Sequence, residues 1–139
     1  MDIPKSVRQV LEGPALGHFV TLNADGSPQV SCVWIGLDDD ELVVGSLGVF
    51  QKIKNIRRDP RVAISFETDQ SNEIGMRHHL VVYGTARVEA GGAPQLLQWL
   101  AHTYVGPDVR FPPMPDPPPG YVIRVTPSRF TGLGPWQSE

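Results

Sequence analysis

Cysteine is almost missing from this sequence: Cys32 stands alone among 139 residues. One cysteine excludes an intrachain disulfide framework and suits a reducing, cytoplasmic setting. Cys32 falls inside a predicted strand, where its thiol is expected to be buried and inert. Long apolar runs are missing too. None approaches the ~20 residues that a membrane-spanning helix needs. The opening Met1-Asp2-Ile3-Pro4-Lys5 lacks the hydrophobic region of a signal peptide. Neither a membrane partner nor a leader is therefore expected. Charge of one sign is scarce: 12 Lys and Arg against 15 Asp and Glu leave a net charge of -3. That balance argues against nucleic acid as a partner, since such binding draws on a dominant basic face. The four histidines fall at no spacing that suits a metal. His78-His79 has no cysteine or acidic residues in a ligand pattern beside it, so no metal site is expected.

What is present describes a globular protein. Hydrophobic residues make up 40% and charged residues 19% of the chain, enough to build one core, so residues 1–139 read as a single domain. Residues 5–12 read as a short helix with Val7, Val10 and Leu11 inward, ended by Gly13-Pro14. Residues 17–22 and 29–37 read as a hairpin about Asp25-Gly26, and 41–46 as a third strand after the turn Asp38-Asp39-Asp40. Val62, Ile64 and Phe66 alternate within a strand at 61–67; residues 68–75 read as a mobile polar connection. The longest strand spans 79–89, with Gly84 marking a bulge or bend. Residues 93–104 form an amphipathic helix with Leu96, Leu97, Leu100 and Tyr104 near one face and Trp99 beside it. Seven prolines between 106 and 120 exclude a regular element there and indicate an ordered lid or semi-rigid arm over 106–119. Residues 121–126 form another strand, which Pro127 interrupts and 129–132 resume at an edge. Six or seven short strands, few helices and tight early hairpins imply a mainly β, antiparallel barrel.

One stretch concentrates charge. Five of the twelve Lys and Arg fall between Lys52 and Arg61, just after a strand that ends in Gly45-Ser46-Leu47-Gly48. A strand running through such a turn into a basic helix gathers free N–H groups and the positive end of a helix dipole. Arg57 and Arg58 lie toward the helix C-terminus, where cations suit the dipole without any ligand. Lys52 lies in or next to the first turn, where a cation is disfavoured unless an anion compensates it. Gly45 and Gly48 allow close backbone approach. The competing reading is a solvated basic helix with Lys52 extending into water.

Taken together, Gly26-Ser27-Pro28-Gln29-Val30 leading to Trp34, then Val43-Val44-Gly45-Ser46, then Gln51-Lys52-Ile53-Lys54-Asn55-Ile56-Arg57-Arg58-Asp59-Pro60-Arg61-Val62, form a family pattern. It resembles the pyridoxamine-phosphate-oxidase-like split-barrel flavoproteins, and within them the actinobacterial branch that uses the deazaflavin coenzyme F420. The likeness runs from the first helix to Arg124. It implies an antiparallel split β-barrel of the FMN-binding type and a homodimer with two cofactor sites at its interface. By the same resemblance, Gln29, Val30, Ser31 and Trp34 belong to the strand beside the isoalloxazine ring, met mostly through backbone. Val44 and Gly45 lead into the junction, and Ser46 and Lys52 contact the cofactor phosphate. Gln51 stands where many members have Arg. Lys54 and Arg57 are placed to meet the acidic tail of F420.

The expected activity is hydride transfer from reduced F420 to a small electrophilic acceptor: an activated olefin, quinone, nitro compound or tetrapyrrole. Two alternatives stay open: an FMN-binding oxidoreductase of the same family, and a non-catalytic carrier of F420 or a haem-type ligand. Oxidation of pyridoxamine phosphate is not expected, because Gly132-Leu133-Gly134-Pro135-Trp136 replaces the Arg/His-bearing end typical of that enzyme. His78 is a candidate proton donor, against the reading of a solvated strand-end histidine. Trp34 either walls a flat ligand by stacking or packs in the barrel. Trp136 is either exposed or docked on a partner subunit. Ser31 either touches the ring or is an ordinary strand residue.

Overall fold

The computed structural model describes residues 2–138. Its elements are α1 (Lys5–Leu11), β1 (Gly17–Leu22), β2 (Pro28–Val33), β3 (Gly36–Asp38), β4 (Glu41–Ser46), α2 (Gln51–Arg58), β5 (Arg61–Ser71), β6 (Arg77–Ala90), α3 (Ala93–Tyr104) and β7 (Tyr121–Leu133). A 3₁₀ turn over Pro135–Ser138 follows. The strands form one antiparallel sheet in the order β2-β1-β5-β6-β7-β4-β3.

The two ends of that order are consecutive in the chain. Only Trp34 and Ile35 separate β2 on one edge from β3 on the other. From Val33 to Gly36 the backbone reaches at most about 11 Å, so the sheet must curl until its edges nearly meet. It does not close. The Ile35 backbone is instead satisfied by Tyr104, whose hydroxyl accepts from the Ile35 N–H at 3.0 Å and lies 3.0 Å from the Ile35 carbonyl and 2.8 Å from that of Ala15. Burial raises the pKa of this phenol, which keeps it a donor. The expected split barrel is therefore observed, but the single strand expected over 29–37 is two strands on opposite edges, broken where the chain crosses the gap.

Alternation accounts for the core. Val62, Ile64 and Phe66 of β5 face Leu80 and Val82 of β6, and all are buried with Phe19, Ile123 and Val125. Val7 and Leu11 of α1, and Ile53 and Ile56 of α2, are buried in the same core. A helix of eight residues is too short to persist alone. Burial of Ile53 and Ile56, at roughly 1.5–3 kcal/mol each, holds α2 in place.

Three further expectations are corrected. Residues 68–71 are the end of β5, and 72–76 make a closed turn in which Asn72 N–H donates to the Met76 carbonyl at 2.8 Å. Both faces of the strand are largely solvated there, so the apolar alternation that would reveal it is absent. β7 continues through Pro127: the β6–β7 register slips at Tyr83/Gly84, with Gly84 opposite Pro127 and Ser128 as the extra residue. The bulge expected at Gly84 is thus present, and a Cβ at Gly84 would lie 2.3 Å from the Thr126 carbonyl oxygen. Cys32 is exposed rather than buried, because β2 is an edge strand and Cys32 points to its open face.

The Pro-rich stretch is irregular, as its composition requires, and is tied to α3. Gln98 donates to the Val109 carbonyl at 2.9 Å and accepts from the Phe111 N–H at 3.0 Å. Among the described residues no helix is long and apolar enough to cross a membrane.

Candidate functional site

The turn between β4 and α2 is shaped by its own residues. Ser46 is 4% exposed, and its hydroxyl donates to the Gly48 carbonyl at 2.7 Å, closing the turn. Opposite it, Gly120 takes a left-handed φ of 58°, and a Cβ there would stand 2.3 Å from the Ser46 carbonyl oxygen. Tyr121 pairs with Ser46 across the β4–β7 ladder, and the Arg57 guanidinium lies 5.4 Å from the Tyr121 ring centre. Ser46 and Arg57 are therefore brought together around Tyr121, at the end of the barrel where the chain turns into α2 and Lys52.

The first turn of α2 is unbalanced. Every helix start leaves N–H groups without intrahelical partners. Here no side chain caps them and no acidic residue stands in the first turn. Lys52 is itself half-buried beside the Phe50 ring (5.6 Å), and that burial lowers its pKa. A desolvated cation at the positive end of a helix, with no carboxylate paired to it among the described residues, is unfavourable as it stands. An anion seated there would relieve both problems, so these residues fit the phosphate of a flavin-type cofactor.

A buried polar network ties this helix to the edge strand. Asn55 is fully buried; its amide donates to Thr21 Oγ1 and Asn23 Oδ1, each at 2.9 Å. Thr21 Oγ1 in turn donates to Gln29 Oε1 at 3.0 Å, and Gln51 donates to Asn55 Oδ1 at 2.8 Å. Arg58 extends the link by donating to the Leu22 carbonyl. Gln29 on β2 and Gln51 on α2 are thereby held by one pair of side chains. Asn55 stands in the family pattern but without a role, and Thr21 lies outside it; their partnership spans 34 positions.

The other candidates divide by location. Ser31 lies on the same face of β2 as Gln29, and its Oγ is enclosed without a hydrogen-bond partner among the described residues. Val30 points to the opposite face and is 58% exposed. Val44 is a core side chain, so only its backbone is available to a ligand. The space beside Gly45 is filled by Leu97 of α3, 2.9 Å from where a Cβ would be. Lys54 is exposed. Trp34 stacks on Tyr104 (5.6 Å, 15°) and meets Phe111 edge-on (5.2 Å) in the strand-crossing gap. Trp136 is buried within its own chain rather than loosely exposed, with its ring edge-on to His78 at 6.1 Å.

His78 is not brought to Ser46 and Lys52. The β6–β7 ladder runs from Ala90–Tyr121, beside Ser46, to His79–Leu133 at its far end. Among the described residues, no three His, Cys, Asp or Glu side chains gather where they could hold a metal.

Residues 3–134 match the family model of pyridoxamine 5'-phosphate oxidase. Among solved structures, an F420 reductase superposes with a TM-score of 0.76 at 28% identity, covering 93% of this chain and 98% of that one. The conserved hypothetical protein Rv2991 of Mycobacterium tuberculosis gives 0.71 at 19% identity, over 95% and 84% of the two chains. HupZ of Group A Streptococcus gives 0.67 at 18% identity, over 95% and 94%. At 18 and 19% identity the likeness extends to the fold alone. No curated protein is significantly similar in sequence. The family pattern read from residues 26–62 and the architecture agree: this chain belongs to the pyridoxamine 5'-phosphate oxidase family.

Proposed function

We propose that this chain is a homodimeric, cytoplasmic oxidoreductase that binds reduced F420 and delivers its hydride to a small electrophilic acceptor. The observation that carries the reading is the α2 start: an uncapped first turn beside a half-buried Lys52, with no carboxylate among the described residues to balance it. Lys52 and the first-turn N–H groups hold the cofactor phosphate there, and the β2 backbone from Gln29 toward Trp34 borders the ring. The Thr21–Asn55 pair fixes the distance between those two elements. Lys54 and Arg57 add positive charge next to the phosphate, which favours the polyanionic tail of F420 over FMN. The likeness to an F420 reductase points the same way.

When bound, the deazaflavin supplies the hydride, and the protein's share of the work is orientation and electrostatics. Lys52 remains protonated at neutral pH when an anion faces it, because the pair offsets the desolvation that lowers its pKa.

Dialysis of the purified chain against F420 and FMN together, followed by its absorbance spectrum, tests the cofactor. Retained F420 is expected. Retention of FMN with no F420 would transfer the reading to an FMN-dependent relative. Tight F420 binding with no reduction of an acceptor panel would make the chain a carrier.

A further inference from the structure

A second cleft, of about 700 Å³, opens at the other end of the barrel. It lies beyond the His79–Leu133 pair, whereas the candidate cofactor site lies beside Tyr121. The 13 residues of β7, roughly 40 Å of strand, separate the two. The cleft is of the size that ligands occupy, and α1, the β5–β6 hairpin and the C-terminal 3₁₀ turn converge on it.

Trp136 forms one wall. The residue is 7% exposed, and its Nε1–H is enclosed with no acceptor among the described residues. Buried donors are rarely left unpaired, because nothing repays the loss of water. The placement is not incidental to packing. The indole folds back over Gly134, where a Cβ would lie 2.4 Å from its ring. Gln137 clamps that turn, its side chain accepting from the Gly134 N–H at 3.0 Å and its N–H donating to the Gly134 carbonyl at 3.1 Å. The sequence thus places a glycine where the indole must sit, and the indole's polar atom is left without a partner.

The opposite wall decides what charge fits. Ladder register is lost between Glu67 and Ser71, and such irregularities often re-aim side chains at binding sites. Arg77 is already engaged, by the Thr68 carbonyl at 2.9 Å and by Glu67 at 3.4 Å. Asp69 also lines the cleft. Among the described residues that line the cleft, Arg77 is the only Arg or Lys and it is engaged, so no guanidinium or ammonium is left for an anionic ligand; Val10 and Pro135 supply apolar surface, and the His78 ring stands edge-on to Trp136.

We propose that this cleft binds a neutral, flat small molecule bearing a carbonyl oxygen, which the enclosed Trp136 indole N–H meets by a tilt of its ring, while the ligand's ring rests on Val10 and Pro135. The site is independent of the cofactor reading and stands or falls separately from it.

The probe is 1-indanone, with indane lacking the oxygen and 2-naphthoate carrying a negative charge. Spectra of the ¹⁵N-labelled full chain follow the Trp136 indole resonance, assigned with Trp136→Phe. Millimolar 1-indanone should move that resonance downfield. Indane should bind roughly five- to tenfold more weakly, as should 1-indanone to Trp136→Phe, and 2-naphthoate more weakly still. Gln9→Phe, which narrows the cleft from the exposed face of α1, should abolish the titration and leave the free-state resonance in place. The proposal is overturned if 1-indanone leaves the Trp136 signal unmoved, if indane matches it, or if a bound water alone satisfies the N–H and is not displaced. Should Trp136→Phe fail to fold, the ligand comparison on the native chain and Gln9→Phe still decide.

Discussion

Lys52 gains its meaning from what surrounds it rather than from its charge. A lysine on an exposed helix face costs nothing, but one that is half-buried at a helix start needs a counter-ion. If it meets the cofactor phosphate, Lys52→Ala should weaken F420 binding by roughly 1–3 kcal/mol, read by fluorescence titration. Unchanged affinity would return Lys52 to the solvated-helix reading. Asn55 is the residue on which the site's geometry depends, since its amide serves Thr21, Asn23 and Gln51 from full burial. Asn55→Ala removes those three bonds and opens a buried gap, and should lower stability by roughly 2–4 kcal/mol in urea unfolding. A loss below about 0.5 kcal/mol would show that the network is not what joins α2 to β1. Ser46 and Lys52 could be read from local motif, because a turn and the helix after it are contiguous. Thr21 and Asn55 could not, because a hydrogen bond between distant positions leaves no period in the chain.

Elements meet at glycines and at ion pairs. Gly120 and Gly26 both take left-handed backbone, but they differ in surroundings. A Cβ at Gly120 meets the Ser46 carbonyl and Ala93, whereas a Cβ at Gly26 meets nothing within 4 Å. Gly26→Ala should therefore cost only the conformational penalty, about 1–2 kcal/mol. Gly120→Ala should cost more and should also disturb cofactor binding, because β7 cannot approach the β4–α2 turn. Equal thermal stability of the two variants would refute the close approach. Glu41 joins three strands: it accepts from Arg87 of β6 and from Thr126 and Arg124 of β7, and these bonds hold its carboxyl below the usual range. Hydrogen bonds from Arg61 hold Asp59, after α2, at about 2. Both pKa values are depressed in the fold, so both contribute stability above the ordinary carboxylate range and lose it as pH falls. Melting temperature should be level above about pH 4.5 and fall toward pH 2. Asp59→Asn and Glu41→Gln should each flatten that descent; an unchanged slope in both would mean other carboxylates drive it.

At the scale of the whole molecule, β2 is an uncovered edge. β2 ends the sheet with Val30 58% exposed, and Phe50 beside the candidate phosphate site is exposed to the same degree. An uncovered edge with apolar side chains invites pairing with another chain. Light scattering should give about twice 15.3 kDa for the native chain. Val30→Lys should shift it toward the monomer and weaken F420 binding together. A native monomer with full cofactor affinity would remove the dimer from the proposed function.

The sequence by itself determined the local units: hairpins set by Asp25-Gly26 and Asp39-Asp40, helices set by apolar spacing, and an anion-seeking turn before α2. Each depends on residues close together, whose steric and polarity preferences act over a few positions. Only the tertiary structure decided that residues 29–37 divide between opposite sheet edges, because that break answers to Tyr104, far along the chain. It also decided that Cys32 faces outward, that Trp136 folds into its own barrel, and that His78 stands a full strand away from Lys52. Curvature and long-range pairing set those outcomes, and neither leaves a periodic trace in the residues it positions.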